Sequence, residues 1–210
     1  MFRELRNLLL KTDVQIQYVP IEKLNRLTRQ NHQGIVAFLS LIPYQDISII
    51  LPGLFEQGEI PMILVLDRIS DVRNFGAIAR TAECSGVQAI IIPNKESAQI
   101  NEDAIKTSAG ALHRIPVCKS LDLAETIKFL KESGLQVIAG TEKANDYYHA
   151  TDLKLPFALV LGSEEDGISS GLIRTADQLV KIPIQGEIES LNVSVAAGII
   201  LFEAVRQRLG

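Results

Sequence analysis

Three glycine-containing polar stretches at strand-to-loop junctions hold the side chains best suited to chemistry. In Asn74-Phe75-Gly76-Ala77-Ile78-Ala79-Arg80, Asn74 is placed to cap a helix and Gly76 leaves the first turn open to close approach by another backbone or a ligand. Arg80 rides further along that helix. In Leu161-Gly162-Ser163-Glu164-Glu165-Asp166-Gly167, two glycines permit positive φ and expose backbone N–H groups. Its three adjacent carboxylates repel one another unless a cation or hydrogen-bond donors meet them. Over 182–198, Ser190, Asn192 and Ser194 lead into a helix whose body is Val, Ala, Ile and Phe. Taken singly, these are a capped helix with a surface arginine, a solvated turn and a second capped helix. Three such junctions in one chain point to a composite site.

The elements that must position them follow from the apolar pattern. Met62–Leu66, Val87–Ile92, Gln136–Ala139, Phe157–Leu161 and Gln178–Ile182 are near-continuous apolar runs, which read as strands of a parallel sheet buried on both faces. Helical spacing over 74–85, 121–133 and 192–208 supplies the cover, with Asn74 and Asp122 as caps. The expected fold class is α/β in three layers, with ligands beyond the carboxyl ends of the strands. Earlier in the chain the pattern predicts a helix at 2–11, a strand at 14–19, a helix from Ile21 and a strand over Gln33–Leu39. Residues 40–61, with Pro43, Pro52, Gly53, Gly58 and Pro61, read as a connector. The first ~39 residues are too few for a stable fold of their own and read as part of a larger accessory domain.

Composition narrows the functional classes. The 210 residues are 47% hydrophobic and 22% charged, with a formal net charge of −4, which suits a globular chain and not one that coats nucleic acid by bulk charge. The charge is uneven: residues 1–31 hold Arg3, Arg6, Lys11, Lys23, Arg26 and Arg29 against Glu4, Asp13 and Glu22, a basic front segment that could serve as a handle for RNA. Cys84 and Cys118 read as buried free thiols of a reducing cytoplasm, and His32, His113 and His149 are too scattered for a metal site. Leu8-Leu9-Leu10 is too short for a signal peptide, and no run reaches the ~18 apolar residues of a membrane span. No G-x-G-x-x-G and no G-x-S-x-G occurs, and Gly53 and Gly58 are followed by Glu59 where a phosphate-binding loop needs Lys.

Together the three stretches resemble the SpoU (TrmH) family of RNA ribose 2′-O-methyltransferases, over about residues 60–210. The resemblance is carried by N-x-G-x-x-x-R at Asn74, Gly76 and Arg80, by L-G-x-E-x-x-G at Leu161, Gly162, Glu164 and Gly167, and by I-P-x-x-G-x-x-x-S-L-N-V-S-x-A at 182–196. It implies a SPOUT-type sheet with a C-terminal trefoil knot, and S-adenosylmethionine held by backbone groups of Gly140, Thr141, Leu161, Gly162, Ile182 and Leu191. Asn74, Arg80, Glu164, Ser190 and Asn192 would then surround the reacting ribose, with no metal. It further implies a homodimer through the 192–208 helix. Residues 1–40 are similar to the later part of an L30e-type RNA-binding domain, which would need further residues upstream. A linker would follow at 41–60 and a methyltransferase domain at 61–210.

Transfer from a sulfonium to a 2′-hydroxyl is an in-line displacement, so positioning and help with proton removal are the tasks. Arg80 should stay protonated, which suits gripping a phosphate and stabilising alkoxide better than acting as base. The His32-Gln33-Gly34 segment and the ending Leu201–Arg206 look most like the branch acting on a guanosine of 23S ribosomal RNA. A tRNA substrate is the alternative, and an RNA-binding or ribosome-assembly factor without catalysis is the competing class. A nucleotide-dependent oxidoreductase is disfavoured by the missing dinucleotide fingerprint.

Overall fold

The computed structural model describes residues 16–37 and 41–210. The chain divides into two compact units, Met1–Leu39 and Ser40–Gly210. In the first, helix α1 (Ile21–Leu27) follows Pro20 and buries none of its residues. The strand expected over Gln33–Leu39 is absent from its described part: Gln33 and Gly34 form a turn with φ of 47° and 84°, and 35–37 are irregular. Gly34 donates its N–H to His32 Nδ1, and His32 is bonded to Asn25, so local polar contacts set the backbone there. Of the strand expected at 14–19, residues 16–19 are irregular. The helix expected at 2–11 lies outside the described residues.

In the second unit the apolar runs do form strands. An eight-stranded, all-parallel sheet runs in the order β1 (Tyr44–Gln45), β4 (Val117–Ser120), β3 (Ala89–Pro93), β2 (Met62–Asp67), β7 (Phe157–Gly162), β5 (Gln136–Gly140), β8 (Gln178–Lys181), β6 (Asp146–Tyr147). Central β2 and β7 are buried at every position because helices cover both faces. The alternation along β2 sorts its side chains. Leu64 and Leu66 join Phe75, Ile78, Leu159 and Ile200 on one face, while Ile63 and Val65 join Leu51, Ile127, Val160 and Leu172 on the other. The first face carries α3 (Val72–Cys84), α4 (Glu102–Thr107) and α7 (Val193–Leu209); the second carries α2 (Ile47–Glu56), α5 (Leu123–Glu132) and α6 (Ser170–Thr175). Burial pushes the Cys118 thiol up to about 12, with Asp46 adding to the effect, so it behaves as a small apolar side chain, whereas Cys84, expected to be buried as well, is exposed near the end of α3.

Two expectations are corrected. The 40–61 connector contains edge strand β1 and helix α2, with Pro52 inside the helix and Asp46 accepting from Ser48 N as its cap. Helix α3 begins before Asn74: Asp71 is the cap, and its carboxylate accepts the Asn74 N–H at 2.7 Å. Asp122 caps α5 as predicted, accepting from Ala124 N and Glu125 N.

The last turn of α7 is tied to the starts of the central strands. Arg208 donates to the carbonyls of Ile60 at 2.9 Å, Leu153 at 3.0 Å and Leu155 at 3.1 Å, and lies over the Phe157 ring. Gln207 bonds to Leu153 N and Thr151 O.

Candidate functional site

At the carboxyl ends of β2, β5, β7 and β8 the chain opens into two adjoining cavities, where an open parallel sheet places ligands. The first, of about 360 Å³, has an apolar floor that includes Leu161 and Ile200 and a polar mouth that includes Lys143, Lys181 and Glu189. All six residues expected to hold the cofactor, Gly140, Thr141, Leu161, Gly162, Ile182 and Leu191, line it. They come from three strand ends and the loop before α7, which no contiguous motif would bring together.

Close approach constrains three glycines, most severely Gly162. A Cβ at Gly162 would fall 2.1 Å from the Gly167 carbonyl carbon, so only glycine lets the 163–167 loop fold back on the end of β7. A Cβ at Gly140 would lie 2.8 Å from Leu161 Cδ2 and crowd the floor. Gly76 serves packing: a Cβ there would meet the Ala104 carbonyl at 2.9 Å, so the close approach is by the backbone of α4. Gly186 stands in open space without positive φ, so neither close approach nor backbone conformation requires glycine there.

Beside this cavity, three predicted residues from three elements meet. The Asn192 side chain donates to Glu164 Oε1 and, at 3.0 Å, to Asn74 Oδ1. Its own Oδ1 caps α7 by accepting from Ser194 N and Ser194 Oγ. Glu164 Oε1 also accepts from Val193 N at 3.4 Å. The carboxylate thus sits among donors, which answers the repulsion built into the acidic stretch. Ser190 lines the first cavity but is exposed. Arg80 does not join the cluster. It is exposed and, six residues beyond Asn74, is turned about 120° around α3 and about 9 Å along it. Among the described residues it makes no hydrogen bond or ion pair.

The motif reading missed Asp67 and Arg68. Asp67 closes β2 beside Gly162 of β7 and is 4% exposed. Its carboxylate accepts from Ser169 N at 2.7 Å and pairs with Arg68 Nε at 3.3 Å. The signal was available: a carboxylate ending the apolar run Met62–Leu66 must be buried, and buried charge needs partners.

Comparison with known proteins gives this geometry a context. Residues 61–202 match the SpoU rRNA methylase family, and residues 1–45 match a family described as RNA 2′-O ribose methyltransferase substrate binding. The chain belongs to the SpoU rRNA methylase family. It is 40% identical over 206 residues to the 23S rRNA (guanosine-2′-O-)-methyltransferase RlmB of Vibrio parahaemolyticus, covering 94% of this chain and 82% of that protein. An AdoMet-bound rRNA methyltransferase from Sinorhizobium meliloti superposes with a TM-score of 0.72 at 30% identity, over 80% of this chain and 62% of that one. The A. aeolicus TrmH/SpoU tRNA modifying enzyme gives 0.66 at 32% identity, over 76% and 82%. The chain thus spans less than two thirds of some solved relatives. Like other SpoU methylases it uses S-adenosylmethionine as methyl donor, and its own residues fit that group. Leu161, Ile182 and Ile200 give the cavity an apolar lining suited to a ring, while Lys143, Lys181 and Glu189 suit the charged ends of an amino acid. Among the described residues, no helix is long and apolar enough to cross a membrane.

Proposed function

We propose that this chain methylates a ribose 2′-hydroxyl of RNA, most specifically a guanosine of 23S ribosomal RNA, and works in the cytoplasm. The observation that carries the reading is the convergence of six backbone positions on one cavity whose neighbouring wall holds Asn74, Glu164 and Asn192. S-adenosylmethionine, when bound, supplies an electrophilic methyl group on sulfur. Gly140, Thr141, Leu161, Gly162, Ile182 and Leu191 hold it, so that the site keeps one face for the incoming ribose. Asn74, Glu164, Ser190 and Asn192 orient the ribose, with Glu164 accepting a hydrogen bond from the 2′-hydroxyl. Arg80, standing away from that cluster, meets an RNA phosphate that extends beyond the ribose and offsets the growing negative charge.

The same likeness supports a trefoil knot in the C-terminal part of a 61–210 methyltransferase domain, joined by 41–60 to an L30e-like RNA-binding unit at 1–40. It also supports a homodimer: Val195 and Phe202 on α7 are each 49% exposed, an apolar face that a second copy would cover. Calorimetry with S-adenosylhomocysteine, followed by mapping of methylated nucleotides after incubation with ribosomal RNA and with tRNA, tests the activity. Cofactor binding with methylation of tRNA alone moves the substrate, and binding of RNA without cofactor binding leaves an assembly factor. Arg80→Ala should lower transfer at least tenfold, ~1.4 kcal/mol of transition-state stabilisation, with unchanged cofactor affinity. Light scattering on wild type and Phe202→Asp tests the dimer.

A further inference from the structure

One arginine ties the end of central strand β2 to the loop that separates the two cavities. Ser163, Glu164, Glu165 and Asp166 face both cavities, so the loop is their common wall. It closes on itself through Gly167 N to Ser163 O at 3.0 Å and Asp166 N to Ser163 Oγ at 3.2 Å. Across it lies the Arg68 guanidinium, and the three nitrogens of its planar fork each take a different partner. Nε bonds to Asp67 Oδ1 at 3.3 Å, Nη1 to Asp166 Oδ2 at 3.2 Å and Nη2 to the Gly167 carbonyl at 3.2 Å. Asp67, fixed by Ser169 N beyond the loop, braces the fork from below.

The backbone shows that this placement is imposed. Arg68 has φ of 59°, a left-handed conformation that side chains other than Gly, Asn and Asp adopt reluctantly. Such residues persist where surrounding contacts over-determine them, and they gather at functional sites. General stability is a poor explanation for the cost, because the Asp166 side chain is 69% exposed and an ion pair to so exposed a carboxylate adds little to folding. What the three bonds do fix is the position of Glu164, two residues before Asp166, relative to Asn192 and Val193 at the start of α7.

We infer that Arg68, braced by Asp67, is a positioning residue for methyl transfer, holding the 163–167 loop so that Glu164 faces the reacting ribose. The inference rests on the methyl-transfer reading above, but it concerns a latch that none of the three motifs contains. The cofactor is gripped mainly by β5, β7, β8 and the loop before α7. Releasing the latch should therefore harm turnover more than cofactor affinity.

The test uses Arg68→Gly, which removes the fork and also relaxes the left-handed backbone, with Arg68→Lys as the conservative variant. In single-turnover methylation at saturating cofactor and RNA, Arg68→Gly should be slower by about 10- to 100-fold, the scale of a small misplacement of a reacting group. Its dissociation constant for S-adenosylhomocysteine should change less than about threefold. Arg68→Lys keeps a cation able to meet Asp166 or Gly167 O, and should recover at least about threefold of the lost rate. Hydrogen exchange of the ligand-free protein should speed up at the Gly167 and Ser169 amides in Arg68→Gly and not in the central strands. A saturated rate within about threefold of wild type, or a rate loss that only follows a loss of folded protein at the assay temperature, overturns the inference. A wild type with protected Gly167 and Ser169 amides that neither binds S-adenosylhomocysteine nor methylates RNA overturns the methyl-transfer reading and leaves the latch standing.

Discussion

The two loops facing each other across the first cavity are built on opposite plans. Ser163–Gly167 is cross-braced: it folds back over Gly162 in a space that admits no side chain, bonds to itself, and is held from β2 by Arg68. Pro183–Leu191 is exposed at every position, and the chain is caught again at Asn192, where a side chain bonds to Glu164 and Asn74. One wall of the cavity is therefore ready before a ligand arrives, and the other has most to gain from one. Preorganisation spares a site the cost of ordering at the moment of reaction, while a loose segment allows a cofactor to enter and leave. On the proposed assignment the cross-braced loop would bring Glu164 to the ribose, and the exposed loop would bring Leu191 to the cofactor and Ser190 to the ribose.

The strongest way to break this contrast is at its joint. Asn192→Ala removes the contacts to Glu164 and Asn74 together with the cap of α7, and single-turnover methylation should fall about 100-fold or more, ~2.7 kcal/mol. Melting temperature should show a smaller loss, on the order of 1 kcal/mol, from the missing cap. A paired glycine experiment comes next. Gly162→Ala forces a Cβ against the Gly167 carbonyl and should weaken S-adenosylhomocysteine binding at least tenfold by calorimetry, ~1.4 kcal/mol. Gly186→Ala, in open space, should stay within about twofold. Equal effects at the two sites would mean that the loops do not differ as described.

A gentler probe is limited proteolysis. Saturating S-adenosylhomocysteine should slow cleavage within 183–191 by about fivefold or more, and leave the rate within 163–167 nearly unchanged. The smallest effect calibrates the rest from a place remote from both loops. Arg206 and Gln207 hold the Glu203 carboxyl at about 2, below its ordinary 4.5. A carboxyl depressed in the folded state contributes stability that is present above its unfolded value and is lost as pH falls towards 2. Glu203→Gln should therefore lose less melting temperature than wild type between pH 5 and pH 3, with methylation at pH 7 unaltered.

The sequence was most legible where one kind of force acts. The buried strands β2, β3, β5 and β7 stand within two residues of their apolar runs, because burial on both faces leaves no other reading of Met62–Leu66 or Phe157–Leu161. It was least legible where signals compete. Asp71 and Asn74 can both cap a helix, and the choice fell to Asp71, which starts α3 three residues earlier. Pro52 reads as a breaker, yet α2 packs Ile47 and Leu51 against the sheet and carries it. Strand β4 is four residues long with exposed Lys119 at its centre, too little apolar text to be read alone. In the site, residue types named Asn74, Glu164 and Asn192 as candidates, but only the fold reveals that they touch and that Arg80 stands apart.

The bonds of Arg208 set a timetable for the newborn chain. Its partners Ile60, Leu153 and Leu155 lie at the entrances to β2 and β7, 148, 55 and 53 positions earlier. A ribosome adding roughly 5–20 residues per second makes Leu155 several seconds before it makes Arg208. For that interval the two middle strands can pair, but their entrances stay unfastened and the face that α7 will cover remains bare. A nascent protein of this shape has to be kept from sticking to its neighbours until its own last helix arrives.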